Sequence, residues 1–469
     1  MKQLRAIMIQ TMRSAIRSRV FHVLFLFILL AVFVLPLVVA GDGTAKGQVQ
    51  ITLTYSLGVV VALISTTTLW LACSQLPREI EDYTMHMVTT KPCPRWVIWL
   101  GKWLGVFLMN GAILVVSALV IFVLANWGLS RHRFGAKELE RVRAEVLFGR
   151  RGFEPATPDF LAEAREEYAK RKAAGSLEEG HNPEAVQAEI LRQKRAESTE
   201  IPPGDPPKMW RFENVRVPAG TDKLFLRYRH YAGSTSQSSQ RLLRGGWIVA
   251  DPQGRGGDKF REISQQVLTG SFHELELPPD VIAEDGVVQL GYVNPPPEFQ
   301  SGTEEDRGVS VVFQIADGPV LMAKVSGFPA NYARAMVLAL FQLAFLAALG
   351  CTVGAAFSTP VAAFVAIAYL IIGLSVRAAI DAPLKDDLGR YQYKGVLDRG
   401  AHYLARWVGL VVVSVDDFEA TGDLARGRLI EYARLGRTFG VLVALRSGLI
   451  ALLGIWVLHR RELGAVIRR

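Results

Sequence analysis

Residues 335–376 read AMVLALFQLAFLAALGCTVGAAFSTPVAAFVAIAYLIIGLSV and carry no charged side chain. The stretch is about twice as long as one membrane-spanning helix, which needs roughly 20 apolar residues to cross a hydrocarbon layer of about 30 Å. Ser358, Thr359 and Pro360 lie near its middle, and proline breaks a helix because it removes a backbone donor. We therefore predict two membrane-spanning helices that fold into a hairpin with a tight turn.

Four further apolar runs have the length of one span each, which brings the predicted total to six. They are residues 20–41, 47–77, 103–130 and 438–459. The first run follows a basic N-terminus and ends near Val38-Val39-Ala40, as a cleavable signal peptide does. Because the run is longer than a signal-peptide core and more spans follow it, we predict an uncleaved first helix. Residues 1–18 before it have the pattern of an amphipathic helix.

Basic residues predict the orientation of the spans. They concentrate in residues 1–19, in the loop between the second and third spans, and in residues 460–469. Six spans place these three segments on one side, which the positive-inside rule makes the cytoplasm. We therefore expect a multi-pass protein of a bacterial plasma (inner) membrane with both termini cytoplasmic. The formal charge of +9 is explained by these flanks and the anionic lipid surface, so we predict no nucleic-acid partner.

The polar centre divides the chain into three parts: residues 1–130 with three spans, residues 131–330 on the outer side, and residues 331–469 with three spans. Within the centre, residues 131–200 are rich in helix-forming charged residues and predict a helical hairpin. Residues 208–326 alternate in short runs and predict a β-sandwich or jelly roll. The fold class is thus a six-helix membrane protein with an extracytoplasmic α+β insertion.

Aromatic residues in the predicted β domain suggest two interpretations. Trp210, Tyr228, Tyr231 and Trp247 can stack on a sugar ring, or they are ordinary core residues of the sandwich. The three cysteines, Cys73, Cys93 and Cys351, all lie outside residues 131–330 and have no metal-ligand spacing. We expect no metal and no cofactor.

The loop between the second and third spans carries the strongest functional pattern. Residues 77–96 read PREIEDYTMHMVTTKPCPRW, and Gly101-Lys102 follow. Acidic residues and a threonine precede a Lys-Pro break, then Arg-Trp and Gly-Lys lead into the third span. This series resembles the ABC-2 type permease family, in which the same segment leads into the third helix.

The resemblance implies a short cytoplasmic coupling helix within residues 75–101 that docks on an ATPase subunit. Residues that would lie on or beside this helix, or shape its exit, are Glu79, Glu81, Asp82, Thr84, Lys91, Pro92 and Arg95. It also implies an outer re-entrant segment at about residues 400–437, an exporter, and a homodimer or heterodimer with a second permease. The alternative for the loop is a solvated segment whose acids balance its bases.

The sequence has no GxxxxGK[ST] phosphate loop. We therefore expect no enzymatic activity in this chain and ATP hydrolysis on a separate ATP-binding cassette subunit. The alternative function is a membrane-anchored glycan-binding or sensory protein that uses the β domain, although six spans exceed what an anchor requires.

Arg446 lies within the last predicted span, where a charge is costly to insert. One interpretation is that its side chain reaches the membrane interface. The other is that it faces a translocation path or pairs with Asp416 or Asp417 in the preceding loop.

Overall fold

The computed structural model describes residues 2–38, 44–85, 93–131, 134–135, 139, 142, 147–177, 182–218, 220–233, 241–250, 260–299, 308–382 and 395–461. The chain divides into two compact units. The membrane unit contains the described residues within 1–149, 326–384 and 393–469, and the β unit contains those within 150–325.

Helices dominate the membrane unit, and two more lie in the β unit. In chain order they are α1 (Lys2–Ile16), α2 (Arg19–Phe33), α3 (Leu35–Val38), α4 (Ala45–Glu81), α5 (Arg95–Arg131), α6 (Phe160–Ala173), α7 (Pro183–Thr199), α8 (Phe328–Ala356), α9 (Thr359–Asp381), α10 (Val396–Val411), α11 (Thr421–Ala425) and α12 (Tyr432–Arg460).

Five helices of the described chain, α4, α5, α8, α9 and α12, are long and apolar enough to cross a membrane. The predicted runs 47–77, 103–130 and 438–459 fall on α4, α5 and α12. The first predicted run falls on α2 and α3, and α2 joins α1 at a bend of 73°. The described chain therefore has five candidate spans, or six if α1 and α2 together form one.

The uncharged stretch of residues 335–376 forms the hairpin α8–α9, as predicted. The break falls at Phe357 and Ser358, where the backbone is extended. Pro360 lies in the first turn of α9, where its missing amide hydrogen costs nothing because the first amides of a helix have no partner within it. Helix α8 begins at Phe328, seven residues before the uncharged stretch. The charged side chain in this extension, Arg334, donates to the carbonyl of Ile430 at 3.2 Å.

Small residues bring α4 and α8 into close contact at the centre of the membrane unit. A Cβ on Gly350 would lie 2.5 Å from the Cβ of Ala72, so only glycine permits this approach. Close backbone contact through small residues is a usual way for helices to pack where lipid removes the hydrophobic driving force. This helix pair supports the cavity described below.

Helix α10 is too short to be a candidate span and packs against α9. Its apolar side chains Trp407, Leu410 and Val411 are exposed. The chain then passes through residues 412–420 and α11 before α12 begins. We call residues 412–422, which include the first two residues of α11, the connecting segment. The predicted outer re-entrant segment, about residues 400–437, covers this part of the chain.

Among the described residues, eleven short strands form three sheets in the β unit, with the first two residues of β1 and the last two of β11 outside its bounds. They are β1 (Phe148–Phe153), β2 (Glu200–Ile201), β3 (Lys208–Phe212), β4 (Leu224–Arg229), β5 (Tyr231–Ala232), β6 (Leu242–Ala250), β7 (Phe260–Leu268), β8 (Phe272–Leu277), β9 (Val288–Val293), β10 (Val311–Val312) and β11 (Val320–Gly327). The strand orders are β1-β11-β4-β8, β2-β10-β5 and β3-β9-β6-β7. Helices α6 and α7 pack on each other.

One strand of the β unit lies where the sequence predicted only helix. Strand β1 falls inside residues 131–200, and its Arg150 is 2% exposed. Arg150 forms a two-point ion pair with Glu274 of β8, at 2.8 and 3.1 Å. A buried charge requires such a counter-charge, and this long-range partner explains how a charged stretch forms a strand, at the edge of its sheet, that carries a buried arginine.

Candidate functional site

The first candidate site lies where α4 ends and α5 begins. Lys102, in the second turn of α5, forms an ion pair with Glu79 near the end of α4. The side chains are 2% and 12% exposed, respectively. An ammonium group this deeply buried is stable only beside a counter-charge. Glu79, predicted as a coupling residue, therefore points into the membrane unit and joins two of its long helices.

The next two acidic residues differ from Glu79 in their environment. Glu81 and Asp82 are exposed at the end of α4. Tyr83 follows with a φ of 56° and 61% exposure, so the chain turns sharply out of the helix at this point. The hydroxyl of Thr84 donates back to the carbonyl of Glu79 at 3.2 Å. We call residues 81–83 the acidic turn. Lys91 and Pro92 lie outside the described residues.

Arg95 begins α5 and binds the end of the last helix. Its Nη1 donates to the carbonyls of Leu458 at 2.8 Å and Arg461 at 3.0 Å, and also to that of His459. The last carbonyls of a helix have no partner within it, and a cation there complements the helix dipole. Arg95 thus fixes the start of α5 against α12, a role that its position in the sequence did not indicate.

Helix α1 packs along the start of α5. A Cβ on Gly105 would lie 2.7 Å from the Cβ of Thr11, and one on Gly101 would lie equally close to Ile7. Thr11 is buried, and its hydroxyl donates to the carbonyl of Ile7 at 2.8 Å. The predicted amphipathic helix therefore packs part of its surface on protein, beside the Glu79–Lys102 pair.

The second candidate site is a cavity of about 620 Å³ between α4, α8, α9 and the connecting segment. Its walls are mostly apolar, and Gln342 donates to the hydroxyl of Ser65 at 3.1 Å within them. Asp416 and Glu419 of the connecting segment supply acidic groups. We call this the central cavity.

Helix α4 contributes a stripe of mainly small or polar residues to the central cavity. The residues of this stripe are Thr54, Gly58, Val61, Ala62, Ser65, Thr66, Leu69, Trp70 and Cys73. They recur every three or four positions, which is the spacing of one helix face. This periodicity was present in the sequence and is the signal by which the cavity wall could have been predicted.

Arg446 lies at a second cavity of about 430 Å³, between α9, α10, the connecting segment and α12. It is half-buried, and its Nη1 donates to the carbonyl of Val412 at 3.3 Å. Within the described chain Arg446 has no ion pair with Asp416 or Asp417. Asp416 lines the central cavity, and Asp417 pairs with Arg377 at 3.3 Å. We call this the arginine cavity.

The aromatic residues proposed for sugar stacking lie mainly in the core of the β unit. Trp247 and Tyr228 are 0% and 1% exposed, and Tyr228 donates to Gln265 at 2.6 Å. Trp210 packs on Trp247. Tyr231 is half-buried and donates to Asp317 at 2.9 Å. Trp247 and Tyr228 therefore offer no free ring face to a ligand, whereas Trp210 is half-buried.

His230 is buried among these rings. Neither of its ring nitrogens has a hydrogen-bond partner in the part of the chain that the structure describes. Burial lowers the pKa of His230 to about 4, and the nearby His273 adds to this effect. Burial also lowers the pKa of Lys208 to about 8. Among the described residues, no group of His, Cys, Asp and Glu side chains could hold a metal ion.

Comparison with known proteins identifies no relative: no family model, no curated protein and no solved structure matches this chain.

Proposed function

We propose that this chain is the membrane-spanning permease subunit of an ATP-binding cassette transporter, coupled to a separate ATPase subunit. One observation carries the proposal: α4 lines the central cavity from Thr54 to Cys73 and ends in the exposed acidic turn. Eight residues separate Cys73 from Glu81, or about 12 Å along a helix. A force applied at the acidic turn therefore reaches the cavity wall through one continuous element.

The buried ion pair supports this mechanism. Because Glu79 and Lys102 join the ends of α4 and α5, a partner that moves the acidic turn moves both helices together. Rigid-body motion of packed helices is a common way to convert a local event into a change at a distant cavity. Closure of the ATPase subunits would supply the motion, and this motion would change the side of the membrane to which the central cavity opens. The family resemblance implies that the transporter is an exporter and that it contains a pair of permease subunits.

Exposed charge makes the acidic turn suitable for docking. Charges at the rim of an interface guide the encounter and set its register, and Glu81 and Asp82 are available for this because neither is needed inside the fold. Glu79 is not available, since it neutralises Lys102. Among the described residues of the predicted coupling set we assign docking to Glu81 and Asp82, and we add the exposed ring of Tyr83.

The alternative, a receptor that uses the β unit to bind glycans, has weaker support. Its strongest signal was the set of four aromatic residues, and Trp247 and Tyr228 of this set are buried. Rings that stack on sugars need an accessible face. No observation on the described residues favours this function over transport.

Co-purification tests the proposal. The chain is purified gently from its native membrane, and associated proteins are identified by mass spectrometry. Wild type is compared with Glu81→Lys/Asp82→Lys, and the matched control is Glu163→Lys/Glu166→Lys on the exposed surface of α6, which changes the charge equally. We expect a nucleotide-binding subunit with the wild type and the control, and its loss from the acidic-turn variant.

Two results would contradict this reasoning at different points. If no nucleotide-binding subunit accompanies the wild type while other membrane complexes survive the same detergent, the permease proposal is wrong. If the subunit accompanies the wild type and the acidic-turn variant equally, the permease proposal stands and the docking surface lies elsewhere.

A further inference from the structure

The arginine cavity carries more positive charge than the transport proposal explains. Four arginines line its volume of about 430 Å³: Arg377, Arg434, Arg437 and Arg446. Among the described residues the only carboxylate in its lining is that of Asp417. Cationic side chains at the depth of a hydrophobic helix are costly and usually serve a purpose.

Two of these arginines are already neutralised by acidic neighbours. Arg377 pairs with Asp381 at 2.8 Å and with Asp417 at 3.3 Å. Arg434 pairs with Asp423 at 2.8 Å. The carboxylate of Asp417 in the cavity lining is therefore already paired with Arg377.

The other two arginines lack such a partner. Within the described chain neither Arg437 nor Arg446 lies in an ion pair, and Arg446 makes one long hydrogen bond to the carbonyl of Val412. Two guanidinium groups therefore share a cavity without an anion from this part of the chain. Arg437 is exposed and Arg446 is half-buried, so both groups are available to an anion from outside this part of the chain.

The backbone of α12 turns Arg446 toward the cavity. Residues 438–447 form a π-helix, a rare form in which hydrogen bonds span five residues, often found at functional sites. Thr438, Leu442 and Arg446 line the cavity at intervals of four residues, whereas Leu445 lies outside the lining and is 58% exposed. The face of α12 that lines the cavity therefore carries a charge at position 446 rather than an apolar side chain.

The chemistry of the two groups identifies the ligand class. Guanidinium groups present several donors in one plane and match the oxygens of a phosphate group. We propose that the arginine cavity binds a phosphate-bearing anion between Arg437 and Arg446. Exposed apolar side chains of α10 and α12, including Leu410, Val411 and Leu445, lie beside this region, as expected for the headgroup of an anionic lipid. A free phosphate ion has the same chemistry, and the test separates the two sources.

Binding to the full-length protein tests the site. One arm measures retention of phosphatidylglycerol, against phosphatidylcholine, by native mass spectrometry of protein in nanodiscs. The other arm titrates inorganic phosphate into delipidated protein in detergent by calorimetry. The variant is Arg437→Gln/Arg446→Gln, and the control is Arg406→Gln/Arg426→Gln, which removes the same charge from exposed positions outside the cavity. We expect the cavity variant to weaken binding by at least about tenfold and the control to bind as wild type.

Either arm can support the site, and each identifies a source. Lipid retention that depends on the two arginines, with no response to phosphate, assigns a lipid headgroup; the reverse pattern assigns a soluble anion. If neither ligand distinguishes the cavity variant from the control, the proposal is overturned.

A register variant keeps the test informative if the double variant folds poorly. Leu445→Arg/Arg446→Leu moves the arginine by one residue and leaves the composition unchanged. We expect it to lose binding as the glutamine variant does, since the charge then points away from the cavity. Wild-type binding by this variant would overturn the assignment of Arg446. Circular dichroism and gel filtration establish that each variant is folded.

Discussion

Replacing Glu79 with glutamine should destabilise the protein far more than the same change at Glu81. Glutamine keeps the size of the side chain and removes its charge, so Lys102 is left as an ammonium group that is 2% exposed and has no counter-charge. Breaking a buried ion pair by removing one partner costs about 3–5 kcal/mol. Glu81 is exposed, and its substitution should stay within about 0.5 kcal/mol.

The reciprocal change should cost less. Lys102→Met leaves Glu79 without its cation, but the carboxylate is 12% exposed and can recover part of its hydration. Replacing both residues, as Glu79→Gln/Lys102→Met, removes the charges together. Exchange of a buried ion pair for uncharged groups of similar size is often neutral or stabilising, so the double variant should be more stable than Glu79→Gln alone.

Denaturant unfolding in detergent, followed by tryptophan fluorescence, measures the free energy of unfolding of wild type and of the four variants. The variants are Glu79→Gln, Glu81→Gln, Lys102→Met and Glu79→Gln/Lys102→Met. Each change in unfolding free energy is taken relative to wild type. The change for Glu79→Gln/Lys102→Met, minus the sum of the changes for Glu79→Gln and Lys102→Met, gives the energy that couples the two residues. Equal stability of Glu79→Gln and Glu81→Gln would refute the reasoning. Glu79 would then belong with the docking acids, as the sequence had suggested.

Two further predictions concern other parts of the chain. The pKa of His230 is about 4 in the folded protein and about 6.5 in the unfolded chain, so only the unfolded state takes up this proton as pH falls through that interval. At about 1.4 kcal/mol per pH unit, wild type should lose at most about 3 kcal/mol between pH 6.5 and 4. This loss should be absent from His230→Phe and retained by His273→Gln when melting temperatures are compared across pH; parallel curves for wild type and His230→Phe would exclude the effect. Gly105→Val should separate α1 from α5 and cost about 1–3 kcal/mol, because the new Cβ would lie 2.7 Å from Thr11. Gly448→Ala, where a Cβ meets no atom within 4 Å, is the control in a thermal melt, and equal melting points would contradict the close contact.

The long apolar helices were predictable because lipid imposes a simple rule on them. A span needs about 20 residues with few or no charges, and that rule found α4, α5, α8, α9 and, despite Arg446, α12. Its errors have a physical cause. The rule placed the start of the apolar run after Arg334, although α8 begins at Phe328. The sequence alone does not show that Arg334 donates to the carbonyl of Ile430 in another segment.

The β unit shows where patterns of alternation fail. Strand β7 lies at the edge of its sheet, and its exposed positions include the apolar Phe260 and Leu268, so alternation does not mark it clearly. Strand β11 ends at Gly327 and α8 begins at Phe328, so no loop in the sequence separates the two elements. Strand β1 was assigned to a helical stretch because Arg150 was counted as a solvated charge.

The candidate site was harder to predict than the fold for a related reason. The acidic series at residues 79–84 was visible in the sequence, but the sequence did not show which of its acids are buried and which are exposed. Glu79 and Glu81 are two residues apart and chemically identical, and only the position of Lys102 distinguishes the acid in an internal ion pair from the exposed one. Arg95 likewise depends on carbonyls more than 360 residues away.

The connecting segment explains why the two cavities differ in charge. Asp416 and Glu419 line the central cavity, whereas Val412, Ser414 and Asp417 line the arginine cavity. Arg377 holds Asp417, and the carbonyl of Glu419 accepts a hydrogen bond from Arg434. The arginines of one cavity therefore fix the segment that supplies acids to the other. An anion bound at Arg437 and Arg446 would lie beside these contacts, and a movement of the segment would alter both cavities together.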